Sequence, residues 1–165
     1  MESHFEKLQT LDGSSWSSDK FADKITVISF ADQKSQDLAA KAASGLGKLF
    51  MDNPKFQVVT AVKVPSMFKG LAGQLLKAGQ TKARESALKK FEKEGKTAPE
   101  GLAERIHVVF DLDGKCGKDA LSSWESQQAR LLIVDGSGTS QGQSSNADPE
   151  TAVNGIKDKL VELLA

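Results

Sequence analysis

Cys116 is the only cysteine among the 165 residues, so it is the only side chain able to perform thiol chemistry. A reactive thiol needs a lowered pKa, which a helix N-terminus, a nearby cation or a histidine can provide. Lys115 and Lys118 flank it, but it closely follows an Asp113-Gly114 turn signal. Two interpretations stay open: a one-cysteine thiol peroxidase or redox sensor, and a small residue packed near a turn.

Two loop motifs resemble ligand sites without completing them. The "DLDG" of residues 111–114 matches the start of a calcium loop, but Ser122 stands where that loop needs a glutamate. The "GSGTSQG" of residues 136–142 follows a strand, but its glycine spacing differs from that of a dinucleotide loop. We interpret both motifs as turns and predict no cofactor.

The two histidines, His4 and His107, offer little further chemistry. His107 lies in "RIHVVF", where strand alternation places it on the face opposite Ile106 and Val108. A general base needs a partner at hydrogen-bond distance, and no spacing of His, Cys and Asp indicates a zinc site. We therefore predict a strand histidine with one wet face and no metal centre.

The charge of the chain is balanced overall but uneven along it. With 22 basic and 22 acidic side chains, the protein lacks the positive surplus of a nucleic-acid binder. Residues 66–100 carry eight basic and four acidic side chains. This segment is either a crossover helix followed by a solvated amphipathic helix, or a docking surface for an acidic protein partner or an anionic membrane. Its candidate partner-binding residues are Lys69, Lys82, Arg84, Lys89, Lys90 and Lys93.

The elements that would position these residues follow from hydrophobic periodicity. Buried strands and amphipathic helices alternate, with Ser35 as the predicted N-cap of the first helix and Asp148 as that of the last. Gly79 separates two predicted helices. The predicted order is a strand at 25–30, a helix from 35 to 52, a strand at 56–64, helices at 66–78 and 81–94, strands at 106–112, 131–134 and 138–143, and a C-terminal helix.

This order predicts an α/β fold with a mixed sheet. Strands joined through helices must run parallel, whereas the tight turn after Val134 forces one antiparallel pair. Helices should then cover both faces of the sheet.

No apolar run approaches the ~20 residues of a membrane-spanning helix, so we predict no integral membrane segment. The N-terminal "MESHFEKLQT" lacks the features of a signal peptide. The expected location is the cytoplasm if this N-terminus is native, and the periplasm if a signal peptide was removed.

Three segments, "LQTLDGSSWSSDKFADKITVISF", "VVFDLDGKCGKDALSSW" and "ARLLIVDGSGTSQG", carry a family resemblance. They resemble the thioredoxin-like superfamily, nearest its peroxiredoxin and thiol-disulfide oxidoreductase branch. The resemblance implies a three-layer sandwich forming one domain over residues 1–165, with a helical insertion at 66–100. More narrowly, "VISFADQKSQDLAA", "SMFKG" and "SSWESQQARLLIVD" resemble the YtfJ-like family, which keeps the fold, lacks the cysteine pair and is periplasmic.

The departures from the redox members of the superfamily decide the functional expectation. By register with them, Ser35 and Leu38 occupy the two cysteine positions, and Ala129 falls where a cis-proline is expected. Without thiols at the helix end and without the cis-proline, we do not expect dithiol exchange. We expect a non-catalytic protein-binding or adaptor domain with a degenerate active site. The alternatives are an enzyme or sensor using Cys116, and a ligand pocket near Ser35, Trp124 and Ala129.

Overall fold

The computed structural model describes residues 4–122 and 127–165, apart from the side chains of Lys69 and Ala72. Within these residues the chain forms six strands and four α-helices. The strands are β1 Leu8–Gln9, β2 Ile25–Ala31, β3 Phe56–Val64, β4 Ile106–Leu112, β5 Ala129–Val134 and β6 Ser140–Asn146. The helices are α1 Gln36–Phe50, α2 Lys69–Lys93, α3 Lys115–Ala120 and α4 Pro149–Leu164.

All six strands join one mixed sheet in the order β1-β4-β3-β2-β5-β6. β2, β3 and β4 run parallel because α1 and α2 supply the crossovers between them. β5 runs antiparallel to β2, and β6 returns beside β5 through the predicted hairpin. The mixed sheet with helices on both faces confirms the predicted α/β class.

Alternation along the strands separates two apolar cores. In β2, Val27 faces a first core formed with α1 and α4, whereas Ile28 faces a second core on the other side of the sheet. The second core is closed by α3 and by aromatic side chains of the N-terminal segment, namely Phe5, Trp16 and Phe21. The carboxyl ends of β2 and β3 meet at one edge of the sheet, because these strands are parallel and in register.

Residues 69–93 form one continuous helix, so the predicted break at Gly79 is wrong. Gly79 packs beside Val108 of β4, where an added Cβ would lie 4.0 Å from the nearest valine methyl. The Gln80 Oε1 atom accepts a 3.1 Å hydrogen bond from the backbone N–H of Val108. These contacts offset the helix-propensity cost of one glycine, which is about 1 kcal/mol.

α2 also protects the outer side of β4 beyond the short strand β1. The two-residue strand β1 pairs only with Phe110 and Asp111, so the first residues of β4 have a strand neighbour, β3, on one side only. Besides the contact of Gln80, the Arg84 Nε atom donates a 3.0 Å hydrogen bond to the carbonyl of Ile106. The helix therefore satisfies backbone groups that would otherwise be open to pairing with another chain.

The short helix α3 was absent from the predicted order. It begins after Gly114, which adopts a left-handed conformation at φ 69°. The buried carboxylate of Asp111 accepts hydrogen bonds from the backbone N–H groups of Cys116 and Gly117, at 2.9 and 2.8 Å. A carboxylate on the free N–H groups of a helix start stabilises that start.

None of the described helices combines the length and the apolar character needed to cross a bilayer.

Candidate functional site

A hydrogen-bonded turn joins the end of β2 to the start of α1. The Asp32 Oδ1 atom accepts the backbone N–H groups of Lys34 and Ser35, at 3.0 and 2.9 Å. The Ser35 hydroxyl donates to the same oxygen at 2.8 Å and accepts the backbone N–H of Asp32 at 3.0 Å. Ser35 is fully buried, so its hydroxyl is committed to this turn.

A buried arginine from β5 completes this cluster. The Arg130 guanidinium donates from one nitrogen to Ser35 Oγ at 3.1 Å and lies 3.4 Å from Asp32 Oδ2. Burial raises the pKa of Asp32, but the hydrogen bonds from Ser35 and the charge of Arg130 outweigh it, so the pKa is lowered overall. We call Asp32, Ser35 and Arg130 the edge cluster, because they lie at the carboxyl edge of the parallel strands.

The other predicted site positions around this edge are apolar. Leu38 is half-buried and packs against the first core, and Ala129 is fully buried at the start of β5. No cis peptide bond is present in the described ranges, so the backbone there is trans at Ala129. Trp124, which the sequence suggested as a pocket residue, lies outside the described residues.

Sequence reasoning missed Asp32 and Arg130. A signal was present for both: Arg130 is a charged residue inside the apolar run "ARLLIV", and Asp32 directly follows a buried strand. A charge within a central strand indicates a buried ion pair, since unpaired buried charges are very costly.

Cys116 lies in the second core, on the opposite side of the sheet from α1. It is fully buried on α3 and belongs to the cluster that contains Phe5 and Trp16. Burial raises the pKa of the Cys116 thiol strongly, and Asp111 and Asp119 raise it further. The flanking Lys115 and Lys118 are exposed at the surface. The thiol is therefore protonated at neutral pH and shielded from solvent.

His107 contacts one aromatic side chain of the second core, Trp16. Its ring meets Trp16 edge to face, with 5.1 Å between the ring centroids. Burial, assisted by the charge of Arg84, lowers the pKa of His107 to about 4. His4 contacts the edge of Phe5. No cluster of three or more His, Cys, Asp or Glu side chains suited to a metal occurs in the part of the chain that the structure describes.

Both loop motifs form turns. In the "DLDG" motif of residues 111–114, the Asp111 side chain accepts hydrogen bonds at the start of α3, while the Asp113 carboxylate accepts the backbone N–H of Ser66 at 2.9 Å. In the second, the Asp135 carboxylate accepts the backbone N–H groups of Ser137 and Thr139, at 2.9 and 3.0 Å. These carboxylates thus hold the local backbone.

The basic residues of α2 divide into two groups. Lys82, Lys89, Lys90 and Lys93 are exposed, whereas Arg84 is half-buried and donates to Ile106. The side chain of Lys69 lies outside the described residues. Burial, with the nearby charge of Lys48 on α1, lowers the pKa of Lys90. The two helices therefore share a basic surface.

Solved structures establish the type of fold. The exposed lipoprotein thioredoxin of Streptococcus pneumoniae is similar with a TM-score of 0.55 at 13% identity, over 94% of this chain and 97% of that one. The fold is thioredoxin-like. Two further similar structures belong to the redox branch.

One is a secreted disulfide oxidoreductase of Mycobacterium tuberculosis, with a TM-score of 0.50 at 14% identity over 96% of this chain and 99% of that one. The other is the Xanthomonas campestris bacterioferritin comigratory protein, described for its alkyl peroxide reduction activity. It has a TM-score of 0.53 at 12% identity over 96% of this chain and 91% of that one. No family model matches the chain. No curated protein matches it either, so the narrower YtfJ-like resemblance stays a prediction.

Proposed function

We propose that this chain is a non-catalytic thioredoxin-like domain that acts by binding a protein partner. The observation that carries the proposal is the edge cluster, in which Asp32, Ser35 and Arg130 hydrogen-bond to one another without a sulfur atom. Redox members of this fold place a thiol at a helix start, where the helix dipole stabilises the thiolate. Here the residue at that position is a serine.

The chemistry of the edge cluster argues against thiol–disulfide exchange at this site. Disulfide exchange requires attack by a thiolate on a disulfide sulfur. The Ser35 hydroxyl cannot take that role, and Leu38 has no heteroatom. The arginine neutralises Asp32, so the cluster contributes stability and shape at the sheet edge.

No observation favours the alternative function as a one-cysteine peroxidase or sensor. Such a protein needs an accessible thiol of low pKa. Cys116 is buried among apolar side chains, and its pKa is raised by burial and by Asp111.

The exposed lysines of α2 support an acidic partner. Helix α2 carries seven basic and two acidic side chains, in a chain whose formal charge is zero. Such a surface speeds association with an acidic protein and makes binding depend on salt. The proposed contacts are the exposed Lys82, Lys89, Lys90 and Lys93, flanked by Lys48 of α1.

A charge reversal tests the proposal. The partner would be identified by pull-down and mass spectrometry, and its affinity measured by calorimetry. The triple variant Lys89→Glu, Lys90→Glu, Lys93→Glu should weaken binding at least about tenfold, since each exposed lysine contributes to electrostatic attraction. Lys41→Glu with Lys157→Glu is the matched control on exposed residues of α1 and α4. An unchanged affinity in the triple variant would show that this surface is not the interface.

A further inference from the structure

Four apolar side chains between the end of β3 and the second turn of α2 are exposed to solvent. Met67 and Phe68 belong to a short 3₁₀ turn, and Leu71 and Leu75 belong to the first two turns of α2. The exposed fractions of Met67, Leu71 and Leu75 are 82%, 65% and 74%. We call Met67, Phe68, Leu71 and Leu75 the apolar stripe. Scattered exposed leucines need no explanation, but a contiguous apolar patch on a monomer is often a binding site.

The fold does not need the apolar stripe. The side of α2 that meets the sheet uses other residues: Leu76 packs on Val108 and Phe110, and Gln80 and Arg84 bond to β4. The start of the stripe is fixed in place, because the Asp113 carboxylate accepts the backbone N–H of Ser66 at 2.9 Å. The stripe is therefore an anchored surface that no described residue covers.

The same face of α2 changes from apolar to mainly basic along the helix, with one exposed acidic residue, Glu85, among its lysines. Leu71, Leu75, Lys82, Lys89 and Lys93 follow one another at spacings of four, seven, seven and four residues, which keeps them on one side of a helix. The three lysines are exposed. At 1.5 Å per residue, this face extends over about 33 Å.

We propose that this face of α2 binds an amphipathic helical segment of a partner protein, with apolar side chains at one end and carboxylates at the other. The inference rests on the proposed function and names the surface and the partner chemistry. Apolar anchors in the segment would cover the stripe, and its carboxylates would pair with Lys82, Lys89 and Lys93. Helix-on-helix docking of this kind uses anchors spaced three, four and seven residues apart.

Charge and geometry favour this occupant over two others. A helix that lies on a lipid surface separates apolar and basic residues around its axis, whereas this face separates them along its axis. A second copy of the chain would bring two strongly basic α2 helices together, and like charges across an interface are unfavourable.

The test uses a defined peptide rather than the natural partner. A fluorescent helical peptide of about six turns would carry leucines at four-residue spacing in its first two turns and glutamates on the same face afterwards. It would be made in both sequence directions, with a lysine-for-glutamate version as the charge control. Anisotropy titration against the full chain should give micromolar binding for one direction of the acidic peptide.

Substitutions in α2 test which of its side chains contact the peptide. Leu71→Ser with Leu75→Ser should weaken peptide binding at least about tenfold, and Lys82→Glu with Lys89→Glu should weaken it and flatten its salt dependence. Leu49→Ser is the matched control, because this α1 leucine is 46% exposed and lies away from the stripe. All the variants change exposed side chains, and circular dichroism would verify their folding.

Several outcomes would overturn the inference. These are no binding in either direction at about 1 mM peptide, equal binding of the lysine peptide, or stripe-dependent binding only to phosphatidylserine vesicles. Self-association that Leu71→Ser with Leu75→Ser abolishes would also overturn it. If the partner recovered by pull-down binds Leu71→Ser with Leu75→Ser normally but fails to bind the variant with reversed lysine charges, the role of the apolar stripe is refuted. The proposed function would still stand after that result.

Discussion

Arg130 illustrates how one buried side chain holds the edge cluster together. Its guanidinium is fully buried and reaches Ser35 and Asp32, so its removal would leave Asp32 partly buried without the compensating charge. Removing one partner of a buried ion pair costs about 3–5 kcal/mol, whereas removing both costs less.

We therefore expect Arg130→Met to lower the free energy of unfolding by about 3 kcal/mol or more, and Asp32→Asn to restore part of that loss in the double variant. Urea denaturation would measure both. Arg84→Met is the control: it is half-buried and donates to one carbonyl, so its loss should cost only about 1 kcal/mol. Equal losses for Arg130→Met and Arg84→Met would contradict the role of the edge cluster.

His107 gives the stability of the protein a defined pH dependence. Its pKa is about 4 in the folded chain against an ordinary value of 6.5, because burial and Arg84 disfavour the charged form. Between these values the unfolded chain binds the proton more readily. The contribution of His107 to the free energy of unfolding is therefore fully present above pH 6.5. It decreases as the pH falls towards 4, and it changes no further below that pH.

Lowering the pKa of His107 from 6.5 to about 4 corresponds to a loss on the order of 3 kcal/mol in the free energy of unfolding between these two pH values. His107→Phe keeps a ring beside Trp16 but cannot be protonated, so the variant should lose most of the dependence between pH 6.5 and 4. Unfolding curves at several pH values would measure this. The same slope in both proteins would mean that His107 is solvated.

At the scale of elements, the continuity of α2 is the feature that sequence reasoning missed. A glycine in a helix interior costs about 1 kcal/mol relative to alanine, and the space beside Gly79 admits a methyl group. Gly79→Ala should therefore raise the free energy of unfolding by about 0.5–1 kcal/mol.

The matched comparison is Gly114→Ala at the start of α3. Gly114 has a φ of 69°, and an added Cβ would lie 3.1 Å from the Lys63 side chain, so this substitution should destabilise the protein. Thermal denaturation would measure both variants. A loss of stability in Gly79→Ala would indicate that the two halves of α2 are separate helices.

Helices and strands with a clear hydrophobic periodicity were predictable, because burial of one face determines which type of element the segment forms. β2, β3, β4 and α4 follow the apolar pattern, and Asp148 accepts the backbone N–H of Thr151 at 3.1 Å as a predicted cap should. β1 and α3 were missed because each depends on contacts with distant residues. The edge cluster escaped for the same reason: Asp32 and Arg130 are 98 positions apart in sequence.

At the scale of the whole molecule, the single thiol lies on the opposite side of the sheet from helix α1. Cys116 lies in the second core with Phe5, whereas Ser35 and Asp32 lie at the start of α1. The helix α2, which packs on β4, presents a surface that is apolar at one end and basic at the other. This arrangement suits recognition by contact.

Redox turnover by the purified chain tests the central claim most directly. Insulin reduction and peroxide consumption, both with dithiothreitol as the reductant, would be compared for the native chain, Cys116→Ser and a blank without protein. We predict that all three rates are equal, since a buried protonated thiol cannot attack either substrate. Turnover of about 1 per second or faster that Cys116→Ser abolishes would contradict the account.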